Sequence, residues 1–289
     1  MNPPKYIAVT TCRNEENTIG QCVHSVLNQS YPPSCYIVVD DGSIDKTPII
    51  LKSYEPRLCV VSLKKAHSFQ RGGHLLKLLL IGLKKATREI PDWEFLLTVD
   101  ADEVLFEDYV ERLILKMIEN NRLGITSGIP YSRVKGGYLK IQKASFNVWN
   151  GARLYRRQCF DQIHKIPIIQ GWDMWVQFEA NRLGWETIPF DDINFKEERP
   201  WGNPGWFGIG FWIRRGFIRQ LLGFSLLSQF LSSAKRMTEK PYIIGSLAFL
   251  FAYLLYSLCD MRPFSSAYYR FVKQHTTKMV GEAIKKTLK

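Results

Sequence analysis

The feature that most constrains this chain is the alternation of short apolar runs with amphipathic stretches over its first hundred residues. Tyr6-Ile7-Ala8-Val9-Thr10 is compact and rich in strand-forming residues. Glu16 to Asn28 follows, with Ile19, Val23, Val26 and Leu27 at helical spacing. Cys35-Tyr36-Ile37-Val38-Val39 is a second run of the buried type. A helical stretch from Lys46 to Tyr54, a strand at Leu58-Cys59-Val60-Val61, a longer helix from Gly73 to Thr87 and a strand from Phe95 to Val99 complete the series. Apolar strands separated by helices at this rhythm predict a parallel sheet in an α/β layer fold. Such sheets bind ligands beyond the carboxyl ends of their strands. Chemistry is therefore expected after Thr10, Val39 and Val99.

All three of those segments are polar and acidic: Thr11-Cys12-Arg13-Asn14-Glu15-Glu16, Asp40-Asp41-Gly42-Ser43-Ile44-Asp45 and Asp100-Ala101-Asp102-Glu103. A rim rich in carboxylates suits a divalent cation, a cationic ligand or hydroxyl-bearing groups. Alternation along an extended turn puts Asp100 and Asp102 on one side and Ala101 on the other. Two such carboxylates, with phosphate oxygens from a nucleotide, suit Mg²⁺ or Mn²⁺. At Asp40-Asp41, a carboxylate can accept hydrogen bonds from a base N–H or a ribose hydroxyl. The alternative there is an Asp-Gly turn, with Ser43 or Asp45 capping the next helix. Other nucleotide and hydrolase signatures are missing from the sequence. No GxGxxG follows the first strand, and there is no GxxxxGK[ST], HExxH or GxSxG.

Charge bears on the choice of partner. The 289 residues hold 39 Lys+Arg against 27 Asp+Glu, a formal +12. From Pro200 to Lys289 there are 13 basic and 3 acidic residues, a surplus of ten, which leaves the first 199 residues at +2. A near-neutral body argues against nucleic acid as its partner. The basic part is also apolar. Trp201-Gly202-Asn203-Pro204-Gly205 is a breaker cluster, and Trp206 to Ser233 is apolar and aromatic with Arg214, Arg215 and Arg219 embedded. Tyr242 to Cys259 then carries no charge, with Arg236 and Lys240 on one flank and Arg262 and Arg270 on the other. Its 18 residues reach roughly 27 Å as a helix, just short of a hydrocarbon core. Basic clusters on both flanks fit a segment whose two ends meet anionic headgroups on the cytoplasmic face, as a peripheral or monotopic element or one short span. The alternative is a buried helix of a soluble dimer. Six scattered cysteines without metal spacing read as reduced core thiols of a cytosolic catalytic part.

The three acidic motifs, in this order and spacing, resemble glycosyltransferase family 2, over roughly Tyr6 to Phe195. The resemblance implies an inverting enzyme with a GT-A fold, a Rossmann-like nucleotide-diphospho-sugar transferase architecture in residues 1–200, followed by a membrane-associating helical, apolar-basic region in residues 201–289. It implies a UDP- or GDP-linked sugar as donor and Mn²⁺ or Mg²⁺ held at the Asp100/Asp102 pair. Thr11, Arg13, Glu15, Asp40, Asp41, Asp100 and Asp102 become the donor-binding set, with Asp41 and Asp40 at base and ribose and Asp102 joining metal to diphosphate. The family's catalytic Asp matches Asp173 in Gly171-Trp172-Asp173-Met174-Trp175, although Trp172 stands where a Glu is usual. An inverting transfer needs one base for the acceptor hydroxyl, and Trp172 and Trp175 would desolvate Asp173 for that role. The competing reading of Asp173 is a helix cap. In the family the helix before the DxD carries a donor-facing Asn or Arg two residues before a Gly. Here Leu80-Ile81 precede Gly82, which leaves Arg71, His74 or Lys77 for a donor contact, against His74 and Lys77 as a solvated helix face.

The function expected is hexosyl transfer to a lipid-linked or glycan acceptor in cell-surface polysaccharide, glycolipid or glycoprotein assembly. Glu186-Thr187-Ile188-Pro189-Phe190 with Glu198-Arg199 also resembles polyprenyl-phosphate sugar synthases. A non-catalytic membrane scaffold with the same fold is the alternative of another class.

Overall fold

A computed structural model describes residues 3–64, 73–141, 148–163, 165–199, 208–238, 241–259 and 262–287. Arg71, the breaker cluster at 201–205, Trp206 and Lys240 lie outside the described residues. The chain divides into two compact units, Met1–Trp201 and Gly202–Lys289.

The first unit is built on a nine-stranded sheet, with strands β1 (Tyr6–Cys12), β2 (Cys35–Asp40), β3 (Cys59–Ser62), β4 (Phe95–Asp100), β5 (Glu103–Leu105), β6 (Leu123–Val134), β7 (Gly137–Lys140), β8 (Ala152–Arg156) and β9 (Glu186–Glu197). The order is β3-β2-β1-β4-β8-β6-β9-β5, with β7 on β6. β3, β2, β1 and β4 run parallel, as the alternation predicts. Beyond β4 the sheet becomes mixed, because β8 enters antiparallel to both β4 and β6. Helices α1 (Ile19–Leu27), α2 (Thr47–Lys52), α3 (Gly73–Glu89), α4 (Tyr109–Glu119), α5 (Arg157–Gln162) and α6 (Trp172–Arg182) complete the unit.

Both faces of the parallel part are covered. On one face Tyr6, Ala8, Val38 and Leu97 join Ile19, Cys22 and Val26 of α1 and Leu113 and Met117 of α4 in one buried cluster. On the other, Val9 and Val39 meet α3 at Gly82. A Cβ there would lie 2.5 Å from Val9 Cγ1 and 3.1 Å from Val39 Cγ2, so the helix seats at this depth only because the position has no side chain.

The strands run further than their apolar residues. β1 ends at Cys12, β2 at Asp40 and β4 at Asp100, where the sequence places ends at Thr10, Val39 and Val99. Backbone pairing is indifferent to side-chain polarity at a sheet end, and the ladder continues through Cys12↔Asp40 and Thr11↔Asp100. Conversely α1 starts at Ile19 rather than Glu16. The N–H groups of Glu15 and Glu16 are drawn to Thr47 Oγ1 (2.8 Å) and Asp45 Oδ2 (3.1 Å), which ties the first acidic segment to the second. None of the six cysteines is in a disulfide.

The second unit is helical: α7 (Ile209–Leu221), α8 (Leu226–Lys235), a 3-10 turn (Arg236–Thr238), α9 (Ile243–Ser257) and α10 (Ser266–Thr287). α7 and α9 touch along Gly216, where a Cβ would meet Phe249 O at 2.3 Å, and Trp212 packs edge-on against Phe249 with ring centroids 5.9 Å apart. Ser225 caps α8 by accepting from Ser228 N (3.2 Å), and its own N–H donates to Thr276 Oγ1 of α10 (3.1 Å). No described helix is long and apolar enough to cross a membrane.

Candidate active site

The pairing register assembles the site. β1 is central, with β2 and β4 on either side, so Cys12 stands level with Asp40, and Thr11 with Val39 and Asp100. The acidic ends of three strands thereby reach one rim.

At the β2 end the two adjacent aspartates have different surroundings. Asp40 Oδ1 accepts from Ser43 N–H (3.0 Å) and Ser43 O–H (2.5 Å), closing a turn over Gly42, which is left-handed at φ +69°. Asp45 Oδ1 accepts from Thr47 N–H (2.9 Å) at the start of α2. Neither Ser43 nor Asp45 caps α2, whose cap position is Lys46 with no side-chain cap, and the turn reading therefore describes Asp40 and Ser43. Asp41 is not part of it. Asp41 is 2% exposed and takes a hydrogen bond from His74 Nε2 on α3 at 2.8 Å, with Arg13 Nη1 3.9 Å away. Among the described residues its other oxygen, Oδ1, is buried and has no hydrogen-bond partner. A buried carboxylate oxygen left open is costly unless a ligand N–H or O–H completes it. His74 corrects the sequence reading of a solvated helix face: it is buried, whereas Lys77 is exposed. The reason is its place in the first turn of α3, directed at the β2 end.

At the β4 end Asp100, Asp102 and Glu103 bring one carboxylate oxygen each within 4.8 Å of one another. Asp100 is open to solvent on one side and densely surrounded on the others. Its carboxyl is pushed well above the ordinary range by desolvation and then by the like charges of Asp102 and Asp173, against the pull of Arg153 and Arg199. Glu103 is buried, and among the described residues its Oε2 has no hydrogen-bond partner. Desolvation and then Asp102 and Asp100 drive its carboxyl up as well. Three clustered carboxylates, two of them resisting ionisation and one oxygen unpaired, form a hard oxygen donor set that fits a divalent cation.

Arg199 is the cation placed against this cluster. Its Nε lies 3.2 Å from Asp102 Oδ2, and its Nη2 donates to both oxygens of Glu15 at 2.5 and 2.6 Å. Glu15, expected among the donor-binding residues, is thus turned to Arg199 and to Thr18 Oγ1 (3.1 Å). Glu198, next to Arg199, is held by Arg133 Nη1 (3.0 Å) and Tyr138 O–H (2.6 Å), and its N–H donates to Asp102 O (2.8 Å).

Asp173 lies in the first turn of α6. The cap position is Gly171, left-handed at φ +88° with no side-chain cap, so Asp173 is not the helix cap. Trp172 and Trp175 are both buried, and Asp173 stays partly exposed instead of being enclosed by the two rings. Among the described residues its carboxylate has no hydrogen bond or salt bridge, and its charge is felt at Asp100. Its backbone is fixed by Arg153 of β8, a fully buried arginine. Nη1 donates to Asp173 O (3.1 Å) and Tyr155 Oη (3.2 Å), and Nη2 donates to Val148 O (3.0 Å).

Arg153 escapes sequence reasoning, Glu103 is read there without a role of its own, and Arg199 only as part of Glu198-Arg199, without a place at the acidic cluster. Arg153 does leave a signal, a lone charge inside the run Ala152-Arg153-Leu154-Tyr155. Arg199 leaves none, since Glu15 is 184 residues away.

With this geometry in hand, comparison with known proteins is specific. The family model described as Glycosyl transferase family 2 matches residues 7–184. Poly-beta-1,6-N-acetyl-D-glucosamine synthase from Staphylococcus epidermidis is 31% identical over 143 residues, covering 47% of this chain and 31% of the synthase. An uncharacterised glycosyltransferase of Haemophilus influenzae is 25% identical over 150 residues, covering 50% of this chain and 55% of that protein. The chain thus spans about a third to a half of the length of these relatives. Among solved structures, residues 1–349 of S. aureus TarS in complex with UDP-GlcNAc align with a TM-score of 0.57 at 17% identity, covering 86% of this chain and 71% of that one. The mannosyltransferase PcManGT from Pyrobaculum calidifontis, in complex with GDP-Man and Mn²⁺, aligns with a TM-score of 0.55 at 16% identity, covering 99% and 87%. At these identities the likeness is one of fold, and the fold is GT-A followed by C-terminal helices.

Proposed function

The chain belongs to glycosyl transferase family 2, and we propose that it is an inverting, metal-dependent hexosyltransferase. It takes a sugar from a UDP- or GDP-linked donor and passes it to a lipid-linked or glycan acceptor. The reaction serves cell-surface polysaccharide, glycolipid or glycoprotein assembly on the cytoplasmic face of a membrane. The nucleotide sugars held by TarS and PcManGT support the donor class, and the synthase relative supports the assembly of a polysaccharide.

One observation carries this reading: Asp100, Asp102 and Glu103 bring one carboxylate oxygen each within 4.8 Å of one another at the strand ends, while the carboxylate of Asp173 has no partner among the described residues. The cluster would take the diphosphate end of the donor, and Asp173 is the base that an attack from the side opposite the leaving group requires. Asp41, with its open Oδ1, accepts a ring N–H of the base, and Asp40 meets the ribose. Thr11 and Arg13 flank the nucleotide. Asp100 and Asp102, with Glu103 beside them, would hold the divalent cation, which when bound would offset charge on the diphosphate. Asp173 accepts the acceptor's hydroxyl proton as that oxygen bonds to the anomeric carbon. The bond from that carbon to the diphosphate breaks, and the electron pair leaves with the nucleotide.

Calorimetry of nucleotide sugars with Mn²⁺ tests the reading. Saturable binding of one donor, lost with EDTA, is the expected result. Absence of binding by any UDP- or GDP-sugar would overturn it.

A further inference from the structure

The second unit carries an apolar surface of a kind that water does not support. On α9 the residues Ile244, Leu247, Phe251 and Leu255 recur at helical spacing along one side and Leu258 follows at its C-cap, and all are exposed, Phe251 at 66% and Leu258 at 82%. On α8, Leu227 and Phe230 are exposed in the same way. The inward sides of these helices hold much of their polarity. Gln229 is fully buried, and Ser228, Ser233 and Ser246 are buried with it. Those groups are bonded to one another's elements. Arg219 Nε donates to Gln229 Oε1 (2.8 Å), Arg219 Nη2 donates to Ser228 Oγ (2.8 Å), and Gln229 Nε2 donates to Phe249 O (3.2 Å). A helix in water buries its apolar stripe and exposes its polar one. On α8 the distribution is reversed, on α9 apolar residues occupy the exposed side as well as the buried one, and exposed apolar surface of this kind marks an interaction site.

We propose that the outer faces of α8 and α9 form a monotopic membrane-docking surface that lies in one leaflet of a bilayer bearing anionic headgroups. Length excludes a crossing by α9: its 15 residues extend about 22 Å, against roughly 30 Å of hydrocarbon. Charge selects the lipid. Exposed Lys235 at the end of α8 and exposed Arg262 beyond α9 flank the apolar face, and residues 200–289 carry a surplus of ten positive charges. Each basic side chain near an anionic surface contributes about 1 kcal/mol, and the buried apolar area adds the rest. The close seat of α7 on α9 at Gly216 is the small-residue packing that membrane-embedded helices use. This inference is independent of the glycosyltransfer reading, because it concerns lipid binding alone.

The test is flotation of the full chain with vesicles of phosphatidylcholine plus phosphatidylglycerol and with vesicles of phosphatidylcholine alone, alongside light scattering without lipid. The full chain floats with the anionic vesicles. The double variant Leu247→Asp/Phe251→Asp, altered only at exposed positions, lowers the bound fraction about tenfold at unchanged helix content. Lys235→Glu/Arg262→Glu lowers binding to the anionic vesicles and leaves the neutral ones unaffected. Failure of the full chain to float with anionic vesicles would overturn the proposal. So would a dimer in solution that the Leu247→Asp/Phe251→Asp variant dissociates, since the face would then belong to a second copy.

Discussion

His74 Nε2 donates to Asp41 Oδ2 across 2.8 Å, and both side chains are buried, so that one carboxylate oxygen is held and the other is left open. The pair joins the first turn of α3 to the end of β2 and decides where Asp41 points. His74→Ala releases it and leaves Arg13, 3.9 Å away, as the nearest cation. Losing a hydrogen bond to a buried charge costs about 1.5–3 kcal/mol, so nucleotide affinity falls at least about tenfold, with a smaller effect on the chemical step. His74→Gln keeps an N–H donor and recovers part of the loss. Calorimetry with UDP and GDP measures it, and equal affinities in all three proteins would remove His74 from the site.

The acidic cluster makes metal and proton competitors. Burial and the like charges of Asp102 and Asp100 raise the carboxyl of Glu103, and local desolvation with the like charges of Asp102 and Asp173 raises that of Asp100 at the rim. In the metal-free protein the folded state therefore binds more protons than the unfolded state between the ordinary carboxylate range and the raised values. Stability falls as pH rises through that window and levels off above it. Divalent cation supplies the missing positive charge, so melting in Mn²⁺ rises relative to EDTA, and the gain grows with pH. Asp102→Ala removes one ligand and releases Arg199, and both the metal-induced shift and metal-dependent donor binding should disappear. Undiminished metal-dependent binding in Asp102→Ala would contradict the assignment.

Gly82 tests the packing that supports His74. Gly82→Ala puts a methyl group 2.5 Å from Val9 Cγ1, and α3 must move off the sheet to admit it. Overpacking of this kind costs about 1–3 kcal/mol, in spite of alanine's better helix propensity. Denaturant unfolding at unchanged slope measures the cost. A stabilised Gly82→Ala protein would mean that α3 is not seated as described.

The alternation that predicts β1 to β4 and the helices between them is legible because β1, β2 and β4 are buried on both faces, β3 is a compact apolar run at the sheet edge, and each helix is buried on one side. The three acidic segments are legible because they follow those strands. What the sequence conceals is set by pairing and by distance along the chain. Asp40 and Asp100 read as loop residues, yet the ladder carries the strands through them. His74 reads with Lys77 as part of a solvated helix face, and only the first turn of α3 brings it to Asp41. Arg199 meets Glu15 and Asp102 because β9 pairs with β5, Glu103 opposite Glu197, which no local pattern encodes. The exposed apolar side of α8 and α9 is half legible: the apolar run is plain, but which of its residues face outward is not.

Arg153 and Asp173 separate position from chemistry at the base. Asp173→Asn keeps the shape of the first turn of α6 and removes the proton acceptor, so donor binding persists while transfer falls about 10²–10⁴-fold. Arg153 has no part in proton transfer, but it anchors the Asp173 carbonyl, the Tyr155 hydroxyl and the carbonyl of Val148 at once. Arg153→Lys keeps the charge and loses the planar fork that reaches all three. The expected outcome is a lower kcat at near-constant donor affinity. Arg153→Met leaves carbonyls unpaired in the interior and costs about 1–3 kcal/mol of stability besides. Single-turnover transfer, donor calorimetry and thermal melting on the three variants distinguish these effects. Wild-type single-turnover rates in Asp173→Asn would rule it out as the base. A loss of donor affinity in Arg153→Lys equal to its loss in kcat would make Arg153 a general scaffold residue and not one that positions Asp173.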